Sequence, residues 1–217
     1  MSRRRTSTTV HAATAMHEAS SMLAAHRLDE ALLDRIPMQG QWDATGYLWL
    51  SDLRPRLVEY VDGFIELPPM PSERHQTILG RLLRHLDDLA AACGGKALCA
   101  AMPMYTIAER YREPDLLFLR HADDPRRGKR CWTGADFVAE IISPDDPSRD
   151  LVVKRAEYAA AGVPEYWIID PDHETVTVLA LDGEHYTERG VYRPGDAAVA
   201  ATLPGFTVDV AALLAED

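Results

Sequence analysis

Two acidic residues stand in apolar segments of the sequence, where an unpaired charge would be costly. Asp115 follows Pro114 at the start of the apolar run 116–119, and Glu140 interrupts the apolar run 137–142. A buried carboxylate is expensive unless it is paired or bound to a cation. Alone, Asp115 is equally consistent with a strand-end cap, and Glu140 with an ion pair to a lysine. Together, on neighbouring strands, they suit a hard divalent cation such as Mg²⁺.

Asp136 is a competing candidate because it lies only four residues before Glu140. Four residues of a strand span roughly 13 Å, which is too far for both carboxylates to bind one ion. Asp115 can lie beside Glu140 across a strand pair, where the two backbones are roughly 5 Å apart. We therefore predict that Asp115 and Glu140 form the acidic pair and that Asp136 is a strand-edge residue.

The hydrophobic pattern predicts the elements that would position these acids. Helices are predicted over about 12–36, over 72–93 with Ser72 as its cap and Gly94-Gly95 as its stop, and over about 150–161. Strands are predicted over 56–61, 64–67, 96–101, 104–108, 114–119, 137–142, 165–170 and 175–181. The segment after 181 is predicted to be rich in turns, with a short helical tail.

This order of elements predicts an α/β (α+β) fold in which a mixed central sheet is flanked by helices. The run 137–142 is apolar almost throughout, which indicates a central strand covered on both faces. We expect residues 1–40 to form an N-terminal helical extension with a frayed start, and residues 41–217 to form one domain.

Composition limits the possible classes of protein. The 217 residues carry a net charge of −11, which counts against a broad attraction to a nucleic-acid backbone. Three cysteines without CxxC spacing predict reduced thiols in a cytoplasmic protein. No run approaches the roughly 20 apolar residues that cross a bilayer, so no membrane partner is expected. The motifs GxSxG, GxxxxGK[ST], GxGxxG and HExxH are all absent from the sequence.

Pro114-Asp115, then Glu140 on the next strand, then a lysine resembles the pattern of the PD-(D/E)XK nuclease superfamily. More specifically, the chain is similar to the Uma-two family of restriction endonucleases, and the similarity extends from about Leu57 to the C-terminus. It is carried by an ordered series of short segments: 59–63, 72–76, 114–115, 140–144, 150–154, 158, 162–163, 165–170 and 203–206. The resemblance implies a restriction-endonuclease-like fold.

The sequence departs from the superfamily pattern at the lysine. The pattern has lysine two residues after the glutamate, but position 142 here is isoleucine. The family resemblance implies that Lys154, on the following helix, replaces it, since a long flexible side chain can reach the same point. The alternative is a surface pair between Lys154 and Glu157. Ala135 stands where the family often has proline, which we expect to alter the loop more than the chemistry.

Two more residues fall in segments that resemble family motifs. Glu59 is a candidate for a further acidic group at the site, and His75 is a candidate to reach the substrate from a helix start. A structural role is the alternative for His75. The basic loop 126–130 either contacts phosphates or is a solvated loop.

The resemblance implies metal-assisted hydrolysis of a DNA phosphodiester. Asp115, Glu140 and the backbone carbonyl of Ile141 would hold Mg²⁺ or Mn²⁺, and Lys154 would orient a water or stabilise charge on the phosphate. A catalytically silent protein that keeps the fold as a binding or regulatory module is the rival hypothesis. The resemblance, and the apolar segments 166–170 and 175–181 as sheet-edge candidates, also predict a homodimer.

Overall fold

The computed structural model describes residues 37–53, 57–144 and 146–216. The chain divides into a unit Met1–Met38 and a unit Gln39–Asp217, and every element given below belongs to the second unit. The predicted helix over 12–36 lies outside the described residues, as does most of the predicted extension over 1–40.

The helices begin and end largely where the sequence provides caps. The structure contains α1 (Ala44–Leu53), α2 (Glu73–Cys93), a π-helix (Arg149–Lys154) that continues into α3 (Arg155–Ala160), and α4 (Val210–Leu214). The Ser72 side chain accepts the N–H of His75, as predicted for the start of α2. Gly94 adopts a left-handed conformation with φ 77° and ends that helix. Within the described ranges, no helix is long and apolar enough to cross a membrane.

A six-stranded mixed sheet forms the centre of the molecule, with strand order β10-β9-β8-β7-β6-β3. Its strands are β3 (Lys96–Cys99), β6 (Leu116–Leu119), β7 (Phe137–Ile141), β8 (Glu165–Asp170), β9 (Thr175–Asp182) and β10 (His185–Tyr192). Strands β7 and β8 are parallel, and the other neighbouring pairs are antiparallel. The π-helix and α3 make the crossover between β7 and β8. The predicted mixed sheet flanked by helices is confirmed.

Both faces of the central strands are covered, as the apolar sequence of β7 predicts. Phe137, Ala139 and Ile141 pack on one face in a cluster with α2 and α4. Val138 and Ile142 pack on the other face in a cluster with α3. By the alternation of a strand, Glu140 belongs to the α3 face, so residues on the crossover can reach it.

A smaller antiparallel sheet, of strand order β2-β1-β5-β4, provides the remaining acids of the site. Its strands are β1 (Glu59–Val61), β2 (Phe64–Glu66), β4 (Met104–Tyr105) and β5 (Arg110–Arg112). A turn at Asp62-Gly63 joins β1 to β2, and Gly63 adopts φ 90°. The pair β11 (Ala197–Val199) and β12 (Thr207–Asp209) forms a third sheet.

Helix α1 and strands β5, β10, β11 and β12 were not predicted. Strand β10 carries many polar, exposed side chains because it lies at the sheet edge, so it shows no apolar pattern. It pairs along the whole length of β9, which makes β9 an interior strand. The expectation that 175–181 forms an open sheet edge is therefore wrong.

Candidate functional site

Strand pairing brings the two predicted acids side by side. Leu116 on β6 pairs with Ala139 on β7, so the antiparallel register continues to Asp115 opposite Glu140. The N–H of Asp115 lies 3.4 Å from Glu140 Oε2. The N–H of Ile141 donates to Asp115 Oδ2 at 2.7 Å. Both acids are buried, and both lie at the end of the sheet where β7 leads into the crossover.

Lys154 reaches the acidic pair from the π-helix. Its Nζ donates to Glu140 Oε1 at 2.9 Å, and it lies 3.2 Å from Asp150 Oδ1 and 3.6 Å from Glu59 Oε1. The lysine side chain is only 7% exposed, which rules out the predicted alternative of a surface pair with Glu157. The position of the superfamily lysine is instead occupied by buried Ile142, which belongs to the core.

The π-helix turns its charged residues inward and its apolar residues outward. Asp150 and Lys154 are buried, whereas Leu151, Val152 and Val153 are exposed by 43%, 64% and 43%. Burial of charges beside exposed apolar side chains opposes the usual preference of a helix. π-Helical turns are frequent at functional sites. The π-helix therefore directs Lys154 and Asp150 into the site and leaves its apolar side chains exposed, which is the reverse of ordinary amphipathic packing.

Tyr158, one turn beyond Lys154, holds the same oxygen of Glu140. Its hydroxyl donates to Glu140 Oε1 at 2.5 Å, and the side chain is buried. The hydroxyl of Tyr166 in turn donates to the carbonyl of Asp150 at 3.1 Å. The carboxylate of Glu140 is thus fixed from one side by an ammonium and a phenol, which leaves Oε2 facing Asp115.

Glu59 also lies at the site, where it belongs to a buried ionic network centred on Arg112. Arg112 donates two hydrogen bonds, of 2.7 and 2.8 Å, to the carboxylate of Glu157. Its Nη1 donates to Glu59 at 2.7 Å and to Glu66 at 2.8 Å. Arg149 Nη2 contacts both Glu59 and Glu66. The network ties β1, β2 and β5 to the crossover helix.

His75 contacts the site from the start of α2. Its Nε2 lies 3.1 Å from Asp115 Oδ1, and both side chains are largely buried. Asp136 lies elsewhere: it accepts the N–H of Arg120 at 2.8 Å and pairs with Arg126 at 2.7 Å. The structure thus brings Asp115, Glu140, Lys154, Glu59, His75 and Ile141 together and leaves Asp136 outside.

The pKa shifts follow from this crowding of charge. Burial raises the pKa of Glu140, Lys154 opposes this, and Asp115 adds to it. Burial alone would lower the pKa of Lys154, but the surrounding acids, Glu140 first among them, raise it. Burial alone would raise the pKa of Glu59, but the neighbouring cations Lys154, Arg112 and Arg149 lower it to about 2. Lys154 and Glu59 are therefore charged at neutral pH.

All six predicted site residues line one cleft with a volume of about 700 Å³. The lining also includes Arg74, Glu113, Asp150 and Arg149. Burial, together with the nearby charge of Glu59, raises the pKa of Glu113 to about 7. The cleft is thus rich in acids, with cations at its sides, and it is large enough for a small ligand or a short segment of a polymer.

The donor set of the cleft fits a hard divalent cation. Within the described part of the chain, no three carboxylate, imidazole or thiolate side chains converge into a complete metal cage. Mg²⁺ needs no such cage, because it keeps several waters and uses one or two carboxylates. Asp150 Oδ1 is buried, and Lys154 Nζ lies 3.2 Å from it in an ion pair without hydrogen-bond geometry. Asp115, Glu140 and Asp150 repel one another, and an added cation would relieve that repulsion.

Sequence reasoning gave no role to several residues that the structure places at the site. Arg112, Arg149 and Asp150 are fixed by contacts between segments distant in the chain, and no local pattern reveals such contacts. Tyr158 and Asp150 fall in segments that resemble the family, which was the one available signal. In the basic loop, for which phosphate contact and a solvated loop are both predicted alternatives, Arg126 pairs with Asp124 and Asp136.

Comparison with protein families decides which family this fold and site belong to. Residues 47–211 match the model of the Uma2 family, described as "Putative restriction endonuclease". The chain belongs to the Uma2 family. The match includes β1, the start of α2, β6, β7 and the crossover helix, and thus every candidate site residue. The predicted family is confirmed, and the description of the family supports a nuclease-like function.

A solved structure gives the same fold. The chain is similar to "a putative nuclease belonging to DUF820" from Anabaena variabilis, with a TM-score of 0.63 and 21% sequence identity. The similarity covers 77% of this Uma2 chain and 96% of that chain. At this identity the likeness shows the fold alone. A comparison with curated proteins found no match.

Proposed function

We propose that this Uma2 protein is a metal-dependent endonuclease that hydrolyses phosphodiester bonds of DNA. The observation that carries the proposal is the convergence of Asp115, Glu140 and buried Lys154 in one cleft. Carboxylates on neighbouring strands beside a lysine are what metal-assisted hydrolysis of a phosphodiester needs. Asp115 and Glu140, with the backbone carbonyl of Ile141, would hold Mg²⁺ or Mn²⁺. When bound, the ion would polarise the phosphate and lower the pKa of a coordinated water.

Other residues of the chain would stabilise charge on the phosphate or position the metal-binding acids. Lys154 lies against Glu140 and presents a permanent positive charge at the acids, where it would stabilise charge that develops on the phosphate. Tyr158 orients Glu140, and the N–H of Ile141 orients Asp115. His75 is placed to hold Asp115 Oδ1 and to face the substrate. Glu59 holds Lys154 and Arg149 in position.

The rival is a catalytically silent protein that keeps the fold for binding or regulation. The net charge of −11 favours it, because phosphate and carboxylate repel each other. Burial of Lys154 among carboxylates favours the enzyme, since a purely structural core gains little from replacing apolar packing by buried ions.

A cleavage assay tests the proposal directly. Single-stranded, duplex and nicked DNA would be incubated with Mg²⁺, with Mn²⁺, and with neither. We expect cleavage only with metal, and its loss in Asp115→Asn and Glu140→Gln. The matched control is Asp136→Asn, which lies outside the cleft and should cleave like the wild type. Absence of cleavage under all conditions, or equal cleavage by Asp115→Asn, would favour the silent protein.

We also propose a homodimer, in which two related sites could cut both strands of a duplex. We propose that the pairing edge is β10 rather than β9, because β10 is one of the two terminal strands of the six-stranded sheet and β9 is an interior strand. Light scattering at high micromolar concentration should give twice the 24.1 kDa of one chain. A particle of 24.1 kDa under those conditions would rule the dimer out.

A further inference from the structure

Two arginines line the cleft with donors that no acceptor among the described residues uses. The Nε atoms of Arg74 and Arg149 are buried and lack a hydrogen-bond partner within residues 37–53, 57–144 and 146–216. Both side chains line the cavity that contains Asp115 and Glu140. A buried donor of a charged group is costly when it is unsatisfied, and it calls for an explanation such as a bound ligand.

Arg74 is the clearer of the two. No hydrogen bond or ion pair joins its side chain to another described residue, although the side chain is partly buried. Arg149 uses Nη2 for Glu59 and Glu66 and keeps Nε free. Arg120 also has an unsatisfied Nε, but it lies outside the cleft lining and its Nη2 donates to Thr202. The position in the cleft therefore distinguishes Arg74 and Arg149.

These arginines approach the acidic pair from different elements. Arg74 lies on the first turn of α2, next to His75, which contacts Asp115. Arg149 begins the π-helix and shares Glu59 with Lys154. The two arginines therefore come from the two elements that also supply His75 and Lys154 to the cleft. The first turn of α2 also presents the positive end of a 21-residue helix to the cleft.

We infer that Arg74 and Arg149 bind two phosphates of the nucleic-acid backbone, which flank the bond that the carboxylate site would cleave. This inference rests on the proposed function for its class of substrate. A guanidinium suits a phosphate oxygen through its planar, charged donors. Among the described residues, Arg74 donates to no acceptor and Arg149 donates only through Nη2, so each guanidinium has donors for a phosphate oxygen that break no contact of the protein.

The other described residues of the cleft and of the loop 126–130 favour recognition of a short stretch of backbone. No phenylalanine, tyrosine or tryptophan is among the described residues that line the cleft, so bases have no aromatic ring to stack on. The loop arginines Arg126, Arg127 and Arg130 already bond to protein acceptors. The net charge of −11 opposes binding of a long segment of phosphate backbone. We expect binding with a shallow salt dependence and little base preference.

The test is fluorescence anisotropy on a labelled DNA of about 12 nucleotides, within the range of site sizes of single-strand binders. It is run as single strand and as duplex with Ca²⁺, which takes the same oxygen ligands, and the form that binds more tightly is used. Arg74→Gln and Arg149→Gln should each weaken binding about tenfold. Each should also reduce the slope of log affinity against log salt by about 0.7 to 0.9. The matched control is Arg84→Gln, an exposed arginine on α2 outside the cleft.

Thermal denaturation verifies that the variants fold. If Arg149→Gln fails to fold because Glu59 and Glu66 lose their cation, Arg149→Lys is used instead. Lysine keeps the charge, so this variant should keep the salt slope but bind DNA less tightly. Arginine variants that bind with the affinity and slope of Arg84→Gln would overturn the inference, even if the wild type cleaves DNA. Loss of slope in the arginine variants, with no cleavage by the wild type, would support the phosphate contacts and reject the proposed hydrolysis.

Discussion

In the β6–β7 loop, every arginine of 126–130 donates to an acceptor of the protein, whereas in the cleft two guanidinium Nε atoms have none within the described chain. Arg126 pairs with Asp124 and Asp136, and Arg130 pairs with Asp52. By sequence the loop is the denser basic segment. By structure, Arg126 and Arg127 bond within the loop and Arg130 bonds to α1, whereas Arg74 and Arg149 in the cleft keep donors that no described residue uses.

The two regions also differ in how deeply their ions are buried. In the loop, Arg126 and Arg130 are 34% and 53% exposed, so water and salt weaken their pairs. In the ionic network beside the cleft, Arg112, Glu59 and Glu157 are almost completely buried, and each ion depends on its partners. Removal of one charge should therefore change the free energy of unfolding little in the loop and strongly in the buried ionic network. The predictions below test this difference, from the largest expected effect to the smallest.

Lys154→Met should show the largest effect. It removes the ammonium that contacts Glu140, Asp150 and Glu59, so cleavage should fall by at least about 100-fold. The metal-free protein should lose about 3–5 kcal/mol of unfolding free energy, because buried acids remain uncompensated. Mn²⁺ should stabilise this variant more than the wild type, since the ion replaces the missing cation. Thermal and urea denaturation with and without Mn²⁺ measure this, and equal stabilisation of both proteins would contradict it.

Glu59 should make the stability of the protein depend on acid pH. The neighbouring cations lower its pKa in the folded protein to about 2, from an ordinary value of 4.5, so the stability that it contributes is fully present above pH 4.5. That contribution is lost as the pH falls from 4.5 to 2, because the unfolded chain binds the proton more readily. Urea denaturation across this range should show the loss in wild type and a weaker loss in Glu59→Gln. Parallel pH curves for the two proteins would contradict the prediction.

Replacement of the loop cations should have the smallest effect. Alanine at 127, 129 and 130 together should cost about 1 kcal/mol or less of unfolding free energy, because exposed pairs contribute little. DNA affinity and its salt slope should stay close to the wild-type values. Urea denaturation and anisotropy over a salt series measure the two quantities. A clearly flattened salt slope would mean that the loop, and not the cleft, carries the phosphate contacts.

The sequence was informative about the sheet and the acidic pair for a physical reason. Asp115 and Glu140 stand out because charge in an apolar strand is costly, and the strand lengths bring them into register. The lysine was found only through family resemblance, since Ile142 occupies its usual position. Strand β10 was missed because an edge strand needs no apolar alternation.

The ionic network could not be read from the sequence. Arg112 joins Glu59 and Glu157, which lie 53 and 45 residues away along the chain. No local periodicity records such a contact, because it depends on how β1, β5 and the crossover helix pack. The same reason hides Arg149 and Arg74. Only the positions of Arg149 and Arg74 in the structure show that they line the cleft, because arginine as a residue type does not indicate it.

Isothermal titration of Mn²⁺ into the wild type and Asp115→Ala tests the central claim most directly. The claim is that Asp115 and Glu140 form a site for a hard divalent cation in the cleft. We expect the wild type to bind one ion per chain and Asp115→Ala to bind at least about tenfold more weakly, because one of two protein carboxylates is lost. Asp136→Ala, outside the cleft, should bind like the wild type. Equal binding by Asp115→Ala and the wild type, or no binding by either, would contradict the claim.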